Sequence, residues 1–128
     1  MRPRSVTRHT RAVSDLEAIR TAARKFREER DWEQFQDPKS VLLALVGEVG
    51  ELAELLQWLP ADRAKDLIAN EPLHTRVADE LADVLVYLVG LAEQCDVDLG
   101  AAALSKIEKS ARKHPVGTTK GVAPNRTA

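Results

Sequence analysis

Several residue types are scarce in this 128-residue sequence, and each shortage excludes a class of protein. A single cysteine, Cys95, excludes an internal disulfide framework and a four-thiolate zinc site, and it fits a reducing, cytoplasmic setting. Aromatic residues make up only 4% of the chain, and glycine and proline number six each, which disfavours a β-sandwich. The longest uncharged apolar run, residues 84–92, is too short to span a bilayer, so no membrane crossing is expected.

An excess of charge of one sign is also missing. The chain has 19 Lys and Arg against 20 Asp and Glu, so its formal net charge is −1. A balanced charge offers no bulk attraction for a nucleic acid polymer or an anionic membrane. Any chemistry on a nucleotide would therefore require a local site.

The sequence does contain helical periodicity, which predicts an all-α fold resembling a four-helix bundle. Ser14 and Glu17 form a capping-box signature for the first helix, Pro60 ends the second, and Asp98 is a plausible cap for the fourth. The predicted order is a basic arm (1–13), a helix (14–31), an aromatic loop (32–40), a helix ending at 59, a linker or short surface helix (60–72), a helix (73–95), a helix ending at 114, and a flexible tail (117–128). A single domain is expected over residues 14–116, and the arm is expected to be disordered.

Two acidic pairs fall on the apolar stripes of the two longest predicted helices. At about 100° per residue, Glu48 lies in the middle of its stripe and Glu51 lies on the edge. The next long helix repeats this arrangement with Glu80 in the stripe and Asp83 on the edge. The sequence therefore predicts that both helices turn an acid pair toward the core.

A buried carboxylate without a partner is strongly destabilising, so the two pairs require a compensating charge. Facing helices could bring all four carboxylates together. Oxygen ligands without histidine or thiolate favour Mg²⁺, with Mn²⁺ as an alternative. The competing interpretation is a set of ion pairs with Arg63, Arg76 or Lys106, which is the usual role of one E-x-x-E, but two pairs in matching apolar register favour a metal.

The remaining acids and the histidines fit a metal site less well. Glu54 and Asp79 fall off the stripes and are expected to be surface charges, with Asp79 a candidate support for a ligand. A ferritin-like di-iron site needs Glu-x-x-His pairs, and no histidine here follows a buried Glu by three residues. That alternative is disfavoured.

The last long helix carries a basic face made of Lys106, Lys109, Arg112 and Lys113. Such faces are usually solvated, but beside an acidic metal site a lysine could neutralise phosphate oxygens, and Lys106 is the preferred candidate.

Four aromatic side chains are candidates for stacking on a base. Trp32 and Phe35 lie in the predicted loop, Trp58 ends the second helix, and Tyr87 shares the stripe of the third. Core packing is the alternative for each of them. Cys95 is expected to be an inert, packed thiol.

These segments resemble a known family. The stretches GEVGELAELLQW and DELADVLVYL, with KIEKSARKHPV after them, are similar to the all-α nucleoside triphosphate pyrophosphohydrolases of the MazG type, and most closely to their dCTP pyrophosphatase branch. The resemblance covers about residues 14–116. It implies Mg²⁺-dependent hydrolysis of a (deoxy)nucleoside triphosphate to a monophosphate and pyrophosphate, serving nucleotide-pool sanitation, by a homotetramer built as a dimer of dimers.

The resemblance also implies roles for particular residues. It places the metal on the four acids of the two pairs, Glu48, Glu51, Glu80 and Asp83. It places base or sugar contacts on Trp32, Trp58 and Tyr87. It places the phosphate contact on Lys106, and Ser110 and Lys113 of the same helix are further candidates for binding substrate. The sequence departs from the dCTP-hydrolysing branch at five positions. This chain has Ala23 and Gln36 where that branch carries histidine, Ser110 where it carries asparagine, His114 where it carries tyrosine and Lys113 where it carries arginine. These changes affect the choice of base more than the hydrolysis.

Three functional hypotheses follow. In the first, the metal held by the four acids activates a water molecule and stabilises the leaving pyrophosphate, with Glu51 orienting the water. In the second, the chain is a non-catalytic helical interaction module whose acids pair with the lysines of a partner. The third keeps the enzyme class with another or a modified nucleotide, such as a phosphoribosylated one. Apolar residues beyond the main stripes predict subunit contacts, and the Trp32 loop is expected to cross to a neighbouring chain.

Overall fold

A computed structural model describes the backbone of residues 8–124 and the side chains of residues 15–124. Six α-helices and one 3₁₀ turn follow one another along the chain: α1 (Arg8–Glu29), the 3₁₀ turn (Glu33–Phe35), α2 (Pro38–Leu56), α3 (Ala64–Ile68), α4 (Leu73–Gln94), α5 (Leu99–Lys113) and α6 (Val116–Thr119). No β-strand occurs in this part of the chain, so the predicted all-α class is confirmed. The short-helix alternative for residues 60–72 is also confirmed, as α3.

Helix α1 starts six residues earlier than its capping signature predicts. It begins at Arg8, so Ser14 lies within the helix and does not cap it. The segment between them contains neither glycine nor proline, so nothing in it interrupts a helix that has already formed. Residues 8–13 of the predicted disordered arm are therefore helical, and residues 1–7 lie outside the described residues. In the predicted tail, α6 forms a short helix.

Local chemistry fixes the two ends of α2. Asp37 caps its start by accepting a hydrogen bond from the Ser40 backbone N–H at 2.9 Å, and Pro38 takes the first helical position. Proline is tolerated there because the first N–H groups of a helix have no intrahelical partner. Pro60 cannot donate to the Leu56 carbonyl, and the Leu59 N–H bonds to that carbonyl at 3.0 Å in a tighter turn. Helix α2 therefore ends at Leu56, three residues before the predicted end.

Helices α1 and α4 end in the same way. Asp31 after α1 and Asp96 after α4 have φ values of 53° and 54°. At the end of α1, the Trp32 N–H bonds to the Arg27 carbonyl at 3.0 Å and the Asp31 N–H to the Glu28 carbonyl at 3.1 Å. This pattern is a Schellman motif, and it brings the backbone of Trp32 back beside the last turn of α1.

Helix α4 is the centre of the first of two compact units, which divide between Val97 and Asp98. It packs against α1, α2 and α3. Among residues 15–124, the buried apolar side chains are few and small, namely Val41, Val77, Val89 and Ala92. Many larger apolar side chains of α2 and α4 remain exposed, among them Leu42, Leu43, Val46, Val49, Leu81, Val86 and Leu88.

The second unit contains α5 and α6. Asp98 caps α5 as predicted, by accepting a hydrogen bond from the Ala101 N–H at 3.0 Å. Among all helices of residues 8–124, none combines the length and the hydropathy that a membrane span requires.

Candidate functional site

Three of the four predicted acids meet where α2 packs against α4. Glu48 of α2 and Glu80 and Asp83 of α4 each offer a carboxylate oxygen, and these oxygens lie within 4.8 Å of one another. Glu51, one helical turn after Glu48, lies outside this cluster but close enough to act on Glu48 electrostatically. The helical register explains the meeting, because each acid lies on or beside the apolar face that its helix turns toward the other.

The burial of the acids follows the predicted order. Glu48 and Glu80, in the middle of the stripes, are half-buried, and Glu51 and Asp83, on the edges, are exposed. One carboxylate oxygen of Glu48 and one of Glu80 are shielded from solvent and have no hydrogen-bond partner. Buried oxygens without a donor are rare in proteins and call for an explanation.

The electrostatics of the cluster disfavour full ionisation. The pKa of Glu48 is raised from 4.5 to about 7, first by a hydrogen bond with Glu80 and then by burial, with the charges of Glu51 and Asp83 adding to the effect. Full ionisation of carboxylates this close is unfavourable without a cation, so Glu48 holds its proton up to about neutral pH. A perturbed carboxyl group of this kind is typical of functional sites.

These residues fit a hard divalent cation. Carboxylate oxygens converging from two helices are the ligands that Mg²⁺ and Mn²⁺ prefer, and the two unpartnered oxygens are the atoms such an ion would satisfy. The competing ion-pair interpretation fails for two of its three cations, because within residues 15–124 neither Arg63 nor Arg76 forms a salt bridge with any of the four acids.

Two cavities lie beside the cluster and share a wall formed by Trp32, Gln36, Val41 and Tyr87. The smaller has a volume of about 270 Å³. The larger, of about 500 Å³, also reaches Asp83 and so opens onto the acidic cluster. The structure thus brings together two predicted aromatic residues, Trp32 and Tyr87, next to a predicted metal ligand.

The segment that carries Trp32 is held against the rest of the unit. The Trp32 ring packs edge-on against the Phe26 ring, with centroids 5.6 Å apart. Behind it, the Gln94 side chain donates to the Gln36 carbonyl oxygen at 2.7 Å and so ties the segment to α4. Phe35 lines the smaller cavity and is 68% exposed.

Trp58 is not brought into this group, and the prediction for Cys95 is wrong. Trp58 is 85% exposed and lines neither of the two cavities. It lies two residues after the end of α2, where the periodicity of that helix no longer holds. Cys95 is an exposed thiol, because it caps the end of α4 where the chain turns away from the core.

The sequence interpretation missed Arg27. This arginine lines the larger cavity, and its side chain is only 11% exposed. Its Nε donates to Glu33 at 2.7 Å, and an Nη lies 3.6 Å from Glu93. Arg27 follows Ala23 by four residues on the apolar face of α1, so the register argument that identified the acids could also have identified it.

The predicted phosphate contact, Lys106, and the two further candidates for binding substrate lie on α5, in the second compact unit. Lys106, Ser110 and Lys113 are exposed there. Their roles stay predictions.

Comparison with known proteins adds the family context. Residues 36–118 match the MazG nucleotide pyrophosphohydrolase domain, a segment that contains the whole acidic cluster. The dCTP pyrophosphatase 1 of Bos taurus is 47% identical over 108 residues, which are 84% of this chain and 64% of that protein. The Homo sapiens dCTP pyrophosphatase 1 is 49% identical over 100 residues, 78% of this chain and 59% of that protein. The chain thus spans less than two thirds of the length of these relatives.

A solved structure shows the same fold. The crystal structure of a pyrophosphatase from Archaeoglobus fulgidus superposes with a TM-score of 0.72 at 31% sequence identity. The match covers 79% of this chain and 93% of the archaeal one.

Proposed function

This chain belongs to the MazG nucleotide pyrophosphohydrolase family, and from this we propose that it hydrolyses a deoxynucleoside triphosphate, dCTP or a related or modified nucleotide, to the monophosphate and pyrophosphate. One observation carries the proposal. Glu48, Glu80 and Asp83 converge at the mouth of a cavity whose wall contains Trp32 and Tyr87. A charged end next to an aromatic end matches a nucleotide, which has phosphates at one end and a flat base at the other.

For the proposed reaction, Glu48, Glu51, Glu80 and Asp83 would hold Mg²⁺, with Mn²⁺ as a substitute. Such an ion would supply positive charge that stabilises the leaving pyrophosphate. Glu51 is exposed beside the cluster, and we assign it the task of orienting the attacking water. Because the pKa of Glu48 is about 7 without a cation, Glu48 would give up its proton when the site is loaded.

The rest of the substrate is assigned to aromatic and basic side chains. Trp32 and Tyr87 stack on the base. Lys106 neutralises phosphate oxygens, with Ser110 and Lys113 contributing from the same helix. Trp58 is exposed and does not line this cavity within one chain. We assign it to contact substrate bound to a neighbouring subunit.

Self-association is part of the proposal. The large apolar side chains exposed on α2 and α4, such as Leu43 and Val46, exceed what a monomer usually leaves to solvent. A homo-oligomer, assembled as a dimer of dimers, would cover them. We place this assembly in the cytoplasm, where it would act on the nucleotide pool.

The test is a panel of nucleoside triphosphates assayed for pyrophosphate release with and without Mg²⁺. We expect release that depends on Mg²⁺, is fastest with dCTP or a modified relative, and falls at least about a hundredfold in Glu48→Gln and Asp83→Asn. Glu54→Gln, on an exposed site of the same helix, is the matched control and should keep full activity. Folded protein that releases no pyrophosphate from any nucleotide would overturn the proposal in favour of an interaction module.

A further inference from the structure

A largely buried arginine, with 11% of its side chain exposed, lines the larger cavity beside the two aromatic rings. The side chain of Arg27 shares that wall with Trp32 and Tyr87. Glu33 accepts a hydrogen bond from its Nε at 2.7 Å, and Glu93 forms an ion pair with its Nη2 at 3.6 Å. The guanidinium is therefore fixed by two carboxylates before any ligand arrives, which is the preorganisation that a recognition group requires.

Among residues 15–124, only Nε of this guanidinium donates a hydrogen bond, because Nη2 lies 3.6 Å from Glu93 in an ion pair without a hydrogen bond. Nη1 donates no hydrogen bond in this part of the chain either. It lies next to Gly90, where a Cβ atom would come within 3.5 Å of it, and both residues line the cavity. Because a guanidinium carries only donors, the ligand that fills this part of the cavity has to present an acceptor.

The level of α4 at which Nη1 of Arg27 lies, next to Gly90, indicates which part of a nucleotide this nitrogen would meet. Asp83, at the acidic cluster, and Gly90 line the same cavity seven residues apart, which is about 10 Å along the helix axis. A phosphate group held at the cluster does not extend that far, whereas the sugar and base beyond it do. A nucleotide whose phosphates are held at the cluster would therefore bring its sugar and base to the arginine.

We propose that Arg27 is a specificity-determining residue that donates a hydrogen bond from Nη1 to a carbonyl oxygen of the substrate base. This inference rests on the proposed function and names its substrate class, which is the deoxynucleotides whose base carries a carbonyl group: cytosine, thymine, uracil and guanine. Adenine has no carbonyl group and would leave a largely buried, charged donor without an acceptor. A site built to bond a polar group rejects the analogue that lacks it.

The first test compares dCTP with dATP as substrates. We expect the unmodified protein to have a kcat/KM at least about tenfold higher for dCTP, corresponding to one good hydrogen bond to a base. Arg27→Met should lower kcat/KM for dCTP by a similar factor and leave that for dATP nearly unchanged. Arg24→Met removes an exposed ion pair with the same Glu93 without touching the cavity, so it is the matched control and should keep the preference. An equal loss on both substrates, or no loss on either, would overturn the inference.

A second measurement keeps the two proposals separate. Binding of the product monophosphates dCMP and dAMP, followed by calorimetry on the full chain, requires no hydrolysis. We expect dCMP to bind at least about tenfold more tightly than dAMP and Arg27→Met to abolish the difference. Absence of pyrophosphate release with this pattern intact would refute the hydrolase proposal alone. Pyrophosphate release with equal binding of both monophosphates would refute the role of Arg27 alone.

Discussion

The strongest prediction concerns the proton that the acidic cluster holds. The pKa of Glu48 lies near 7, chiefly because its carboxyl group hydrogen-bonds to Glu80. A cation and that proton compete for the same oxygens, so binding of a divalent ion expels the proton. At about pH 6, roughly ten metal-free molecules have Glu48 protonated for each one that has it ionised, so ion binding should release close to one proton per site. At about pH 8 it should release about a tenth of a proton.

The assay is titration of Mn²⁺ or Mg²⁺ into metal-free protein in two buffers with different ionisation enthalpies. The apparent Kd should fall about tenfold per pH unit as the pH rises toward 7 and then level off. Glu48→Gln keeps the shape of the side chain but has no proton to release, so both the proton release and the tight binding should disappear. Glu54→Gln should behave like the unmodified protein. Affinity that is independent of pH below 7 would refute the reasoning.

The same proton has a consequence for folding. Because the pKa of Glu48 is raised from 4.5 to about 7, the folded metal-free chain binds more protons than the unfolded chain between these values. Its free energy of unfolding should therefore decrease as the pH rises through this window, and Glu48→Gln should reduce that slope. Denaturant melts of the metal-free protein at several pH values between 4.5 and 7 measure this change in the free energy of unfolding. An unchanged pH dependence in Glu48→Gln would contradict the assignment of the raised pKa to Glu48.

Three further predictions concern stability and assembly. In Gly90→Ala, the added Cβ would lie 3.5 Å from its nearest neighbour, which is an ordinary contact. The gain in helix propensity should therefore raise the free energy of unfolding by about 1 kcal/mol, or the melting temperature by about 4 °C. A lower melting temperature would show that the cavity wall is tighter than described. Asp98→Ala removes the cap of α5 and should cost about 1 kcal/mol in a denaturant melt, whereas Asp98→Asn should cost much less. The double substitution Leu43→Lys and Val46→Lys places charges on the exposed apolar face. It should weaken self-association at least about tenfold, as measured by sedimentation. An unchanged sedimentation coefficient would place the interface elsewhere.

The sequence predicts the acidic cluster well because helical register is a strong constraint. Once Glu48 and Glu80 occupy the apolar stripes, packing of the two stripes places both acids in the interface of α2 and α4, and the structure shows that they meet there. Glu51 is less well determined, since a residue on the edge of a stripe can turn toward the cluster or toward solvent. Register fixes the face on which a side chain lies, but not the direction of its last two bonds.

The errors come from features that act locally or through three-dimensional packing. The start of α1 was set at a capping signature, but such a signature has no effect inside a helix that begins earlier. Trp58 and Cys95 lie just beyond helix ends, where the chain leaves the periodic geometry on which the prediction depends. Register places Arg27 on the apolar face of α1, but it does not reveal the partners of its charge, Glu33 and Glu93, which come from two separate segments that the fold brings together.

The small interior of the first unit has a consequence for handling the protein. Three valines and one alanine are its buried apolar side chains among the described residues, and burial of so little surface gives a single chain a narrow margin against unfolding. If partner chains cover the leucines and valines outside, folding and assembly are one equilibrium. The melting temperature should then drop on dilution. Protein that is folded at the high concentrations of a purified stock would unfold at the nanomolar concentrations used in sensitive assays.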